Sequence, residues 1–194
     1  MTKIDTRYRT RCGGILNLCM DGYIFIPLAV LVCRSSKGIY NAALHQHAHE
    51  NEKELRPFRQ HLTHLSQQGY IQVWHDSDLV PGELWEPGIA DALQRADIVL
   101  IFYTTAARIS DFIQQTELPT ALARADAKQC TVLWVPLERN DLDAKQPLEQ
   151  RLARITCATT DAQPVYDFEI VQKGWMEVEQ AIRRAVEQRR RATP

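Results

Sequence analysis

The sequence has almost no charge imbalance: 23 Lys and Arg stand against 24 Asp and Glu, for a formal net charge of −1. Nothing in that balance suggests a nucleic-acid or anionic-membrane binder, and neither partner is expected. The 5 Cys are an odd number with no CxxC pair and no Cys/His spacing suited to tetrahedral zinc, which speaks against a disulfide framework and against a metal site. A reducing cytoplasm is the expected compartment. His45, His47 and His49 alternate without acidic or Cys companions and read as surface histidines. The longest apolar run, residues 23–33 (YIFIPLAVLVC), contains Pro27 and falls well short of the roughly 20 residues of a spanning helix. Neither a P-loop nor GxGxxG occurs, so a phosphate cradled by a helix start is not expected.

What is present is a regular alternation of elements on a 22.3 kDa chain, enough for one α/β domain. Leu55, Phe58, Leu62 and Leu65 recur at helical spacing and stop at Gly69, a natural helix end. A short β-rich run follows with Tyr70, Ile71, Val73 and Trp74, and Pro81-Gly82 turns the chain into a helix whose core face is Trp85, Ile89, Leu93 and Ala96. Residues 96–104 (ADIVLIFYT) and 130–137 (CTVLWVPL) are near-continuous apolar runs, the pattern of strands covered on both faces of a parallel sheet. Between them the pattern predicts a helix capped by Ser110 and running to about Ala125, bent at Pro119, which lacks an amide proton.

A short helix is expected around Leu148 to Ile155 and a weak last strand at residues 165–168. The closing helix carries Trp175, Val178, Ile182 and Ala185 on one face, and its basic run from Arg183 to Arg191 reads as a solvated helix end. Strands and helices alternating at this pitch imply βα units, with the ligand crevice beyond the carboxyl ends of the strands.

The stretch ahead of the first helix, NAALHQHAHENEKEL, has little β-branched content where such a sheet needs a central strand. Two explanations stay open for residues 1–46: a divergent N-terminal extension, or translation partly out of frame, since restoring one base near codon 47 would encode Tyr-Ile-Ser-Tyr directly before Ala48. The expected domain is residues 47–190.

Four stretches in order, HAHENEKEL, GYIQVWHDSDLVPGELW, ADIVLIFYTTAARISDF and SDFIQQTELPTAL, resemble a bacterial Toll/interleukin-1 receptor (TIR) domain. They look like the exit of its first strand, its second strand with the BB loop, its third strand with the following loop, and the helix that carries the family's catalytic Glu. The resemblance implies a flavodoxin-like three-layer sandwich around a mainly parallel five-stranded sheet. In many bacterial members it also implies cleavage of NAD+ at the nicotinamide–ribose bond, with NAD+ as substrate and no cofactor. By position, Glu117 becomes the catalytic residue.

Read without the resemblance, Glu117 is a solvated helix charge. Thr104, Thr105 and Ser110 line the loop after the third strand by the same positional argument, although hydroxyls there also serve as caps. Trp74 and Trp85 flank a loop that could close over the nicotinamide or adenine ring, while Asp76 and Asp78 could accept hydrogen bonds or fix that loop. Trp85, on an apolar helix face, reads first as core packing, and Asp76 also reads as a turn cap. Enzymatic members often carry Trp four residues before the Glu, where this chain has Ile113.

The expected function is an NAD+ nucleosidase of bacterial immune signalling that yields nicotinamide and linear or cyclised ADP-ribose, self-associating through TIR–TIR contacts. The alternative is a non-catalytic module acting by homotypic assembly. A response-regulator domain would need a phosphoacceptor Asp where Tyr103-Thr104-Thr105 stands.

Overall fold

A computed structural model describes residues 40–44, 52–75, 85–111, 113–139, 142–143 and 145–192, with backbone alone for 40–44, 52–55, 74–75, 85–86 and 106. Four strands form among these residues: β1 (Tyr40–Leu44), β2 (Ile71–His75), β3 (Ile98–Tyr103) and β4 (Thr131–Pro136). β1 pairs with β2 and β3 with β4, both parallel, with Tyr40 opposite Ile71 and Ile98 opposite Thr131. The ladders are two parallel pairs, β1-β2 and β3-β4, with β1 lying close to β3.

The helices are α1 (Glu52–Gln67), α2 (Trp85–Arg95), α3 (Thr105–Ile109), α4 (Leu118–Asp126), α5 (Pro147–Leu152) and α6 (Val171–Ala192). Side chains alternate across a strand, so one buried strand feeds two cores. Ile98, Leu100 and Phe102 of β3, with Leu133 and Val135 of β4, pack under α1 and α6. Val99, Ile101 and Tyr103, with Val132 and Trp134, pack under α2 and α4. Helices therefore cover both faces, which makes three layers. The first core centres on Trp175, stacked on Phe58 at 4.8 Å and edge-on to Phe102 at 6.1 Å.

Local signals account for most boundaries. Gly69 adopts φ 70°, and behind it Tyr70 donates its amide to the Leu65 carbonyl, closing α1 as its glycine predicts. The arginines of α6 do more than face solvent: Arg183 lies over the Tyr70 ring, and Arg189 reaches Asp97 and the Gln129 carbonyl, tying the helix to the amino-terminal ends of the strands.

Three expectations change. β1 forms five residues of sheet from Tyr40–Leu44, a stretch assigned above to the N-terminal extension, so backbone pairing to β2 overrides its weak β propensity. Residues 165–168 are no strand: Val165–Asp167 is a 3-10 turn, with Val165 buried against α6 and Tyr166 donating to the Leu137 carbonyl. Of a fifth strand, the described residues hold one parallel bridge, Trp134 to Cys157 on the outer side of β4.

The single helix expected from Ser110 is divided as well. Thr104 caps the short α3, accepting from the Ala107 amide at 3.1 Å, and Ser110 closes that helix. A π turn, Ile113–Glu117, then leads into α4. Pro119 explains the division, because without an N–H it cannot bond to the carbonyl four residues back, and the chain widens before α4 begins around it.

Candidate functional site

Parallel strands end together, and the helix after each strand starts at that same edge. Tyr103 and Pro136, the last residues of β3 and β4, are in register, and the Thr105 amide donates to Glu138 Oε1 at 2.6 Å just beyond them. Glu117 lies at the junction of the π turn and α4, on the crossover that leaves this edge.

Its side chain is 0% exposed, and neither carboxyl oxygen accepts a hydrogen bond from any described residue. Burial alone pushes the carboxyl from 4.5 up to about 8. At neutral pH it is held as the uncharged acid, since an ionised carboxylate without partners is far costlier in an apolar interior. The helix charge in water suggested by sequence context is replaced by an orphaned acid in the core.

The other residues singled out from sequence divide into three groups. Thr104 is half-buried with its hydroxyl committed to the α3 cap, Thr105 is exposed, and buried Ser110 accepts from the Ile113 amide at 3.4 Å. Ile113 is 1% exposed and belongs to the core under α2 and α4 rather than to an open surface. Trp74 is backbone of β2 near its carboxyl end and Trp85 opens α2, but their side chains, together with Asp76, Asp78 and the three histidines at 45, 47 and 49, lie outside the described residues.

Sequence reasoning missed a second polar cluster at this edge. Arg108 on α3 bonds through Nε to Glu149 Oε1 at 3.0 Å, and Glu149, 4% exposed, also takes the Asp143 amide on its other oxygen. The Tyr103 hydroxyl has no partner within hydrogen-bonding distance, and burial first, then the negative Glu149, hold the phenol protonated. Arg108 and Glu149 are 41 residues apart, too far for any periodic signal to join them.

Among the described residues no group of three or more His, Cys, Asp or Glu could hold a metal ion, and no helix is long and apolar enough to cross a membrane. A separate groove of about 450 Å3 lies between α1 and β2, lined by Arg59, Leu62, Thr63, Gln72 and Val73, away from Glu117.

Parallel strand pairs covered by helices on both faces, with a buried carboxyl on the crossover after β3, define a three-layer α/β domain. The TIR domain family matches residues 46–169, and the chain belongs to that family. β1 and α6 fall outside the matched stretch, yet β1 pairs with β2 and α6 closes the first core. A relative, the uncharacterized protein y4lF of Sinorhizobium fredii, is 22% identical over 139 residues, covering 72% of this chain and 42% of the relative. The chain thus spans less than half the length of that relative.

Proposed function

We propose that this chain is a TIR-type NAD+ nucleosidase, cleaving the nicotinamide–ribose bond to release nicotinamide with ADP-ribose or its cyclised form, and acting in cytoplasmic immune signalling. The observation that carries this is Glu117: a fully buried carboxyl with two unpartnered oxygens contributes nothing favourable to the fold, and strongly perturbed acids of this kind cluster at functional sites. Its place on the crossover from β3 agrees with the position of the family's catalytic residue.

The chemistry asks little of the protein. When the C–N bond breaks, both its electrons go to the ring nitrogen, so the cationic pyridinium departs as neutral nicotinamide and needs no acid to protonate it. That separates the reaction from ordinary glycoside hydrolysis, which uses two carboxyl groups. Positive charge develops on the ribose, where one carboxylate in a water-poor site stabilises it. Water then adds to the anomeric carbon and gives up a proton, or an adenine nitrogen closes the ring in its place. Glu117 in its ionised form takes the electrostatic role; Trp74, Trp85, Asp76 and Asp78 are proposed to border the ligand, and Thr104, Thr105 and Ser110 to shape the rim beside it. NAD+ is the small-molecule partner, and assembly of several copies through TIR–TIR contacts completes the site.

One observation favours a second reading, a non-catalytic interaction module: Ile113, where enzymatic members often carry Trp, is an ordinary core residue. Incubating the purified protein with NAD+ and measuring released nicotinamide separates the two, with Glu117→Ala as control. Release that vanishes in the variant supports the nucleosidase; no release at any protein concentration leaves the module.

A further inference from the structure

Among the described residues, none donates a hydrogen bond to the carboxyl of Glu117. Among the described side chains, the charged groups on α2, α3, the turn after it and α4 are engaged elsewhere. On α2, Arg95 pairs with Asp91; on α3, Arg108 pairs with Glu149; in the following turn, Asp111 accepts from Gln115. On α4, Arg124 donates to the Leu93 carbonyl, and Asp126 pairs with Arg151 of α5. Two other titratable groups on that face of the sheet, Tyr103 and Cys130, are kept neutral by burial. Removing an isolated carboxylate from water costs several kcal/mol, and keeping the proton avoids that cost.

The proposed reaction, however, needs a negative charge at this place, and the only positive charge it brings is the ligand's own. We infer that Glu117 is a carboxylic acid in the free protein and that a ligand bearing a cationic N-heteroaromatic ring binds with release of its proton, so that ring charge is what arms the site. The identity of the ligand rests on the proposed function; the resting acid rests on the geometry alone.

The consequence is selective. A cation placed within about 4–6 Å lowers a carboxyl pKa by roughly 1–3 units, enough to ionise from about half to nearly all of Glu117 at pH 7. A reduced nicotinamide, whose ring is neutral, offers no such compensation, and Glu117 keeps its proton beside it. Oxidised and reduced dinucleotide are then distinguished by charge at a single buried atom pair before any bond breaks.

Two measurements test this. Calorimetric binding of a carbocyclic NAD+ analogue, which cannot be cleaved, in two buffers of different ionisation enthalpy should show release of roughly 0.4–0.9 proton per ligand at pH 7, decaying to nearly none by pH 10. NADH should bind without release, as should the analogue with Glu117→Gln, which keeps the volume of the neutral acid. Binding of the analogue to the unmodified protein with no proton release at pH 7 would overturn the inference and leave the nucleosidase standing. The second measurement needs no ligand: the infrared carbonyl band of a protonated carboxylic acid, taken as the difference from Glu117→Gln, should titrate away near pH 8. A midpoint near 4.5 overturns the resting acid whatever the enzyme does. Proton release and a midpoint near 8 without nicotinamide formation from NAD+ would retain the inference and discard the proposed function.

Discussion

Replacing Glu117 by Gln should make the protein more stable, and the gain should depend on pH. The unfolded chain ionises this Glu near 4.5, whereas burial holds the folded-state value at about 8. Between these values the unfolded state has lost a proton that the folded state still holds, so stability falls as pH rises. The loss is about 1.4 kcal/mol per pH unit, reaching about 3 kcal/mol at pH 7 and levelling off above pH 8. Below pH 4.5 both states are protonated and no penalty exists.

Gln is neutral throughout and escapes the penalty, and its buried amide is about as poorly satisfied as the acid it replaces, so the remaining difference is small. The variant should therefore match the parent at pH 4 and exceed it by about 2–3 kcal/mol at pH 7, a rise of roughly 5–10 °C in Tm for a domain of this size. Urea unfolding at pH 4, 7 and 9, with the denaturant slope unchanged between the two proteins, is the measurement. A Glu117→Gln protein no more stable than the parent at pH 9, or showing the same pH slope, would refute the buried unpaired acid.

Other outcomes follow from the same structure. If only the ionised Glu117 turns over NAD+, kcat/KM should climb about tenfold per pH unit and flatten near pH 8, because that ratio reports the free enzyme; a flat profile from pH 5 to 8 would contradict this. Arg108→Ala strands Glu149 in the interior, and after discounting for the partial exposure of the arginine the loss should be about 2 kcal/mol, read by the same urea titration. Gly174→Ala should cost about 1–2 kcal/mol despite the better helix propensity of Ala. Its Cβ would meet Phe168 at 3.0 Å and the Val165 carbonyl oxygen at 3.2 Å, and a stabilised variant would show that this contact yields freely.

The local patterns were legible from the chain alone because their causes are local. Phe58, Leu62 and Leu65 fall on one helix face by spacing, Gly69 closes that helix by its backbone freedom, and the apolar run of β3 demands cover on both sides, which together imply a layered parallel α/β domain. The order of four short stretches pointed to the family and, by position, to Glu117. Distance along the chain hid the rest. YNAAL becomes β1 because β2 lies alongside to pair with it, and Val165 sits in a 3-10 turn because α6 covers it.

The π turn that ends at Glu117 follows from Pro119, visible in sequence, but its effect on where the carboxyl points does not. Spacing also gives Arg108 and Glu149 no reason to meet. Most of all, sequence context makes Glu117 a charge in water, whereas the packed core leaves it dry and alone. Whether a side chain keeps its water depends on every element that closes over it, and only the tertiary structure brings those elements together.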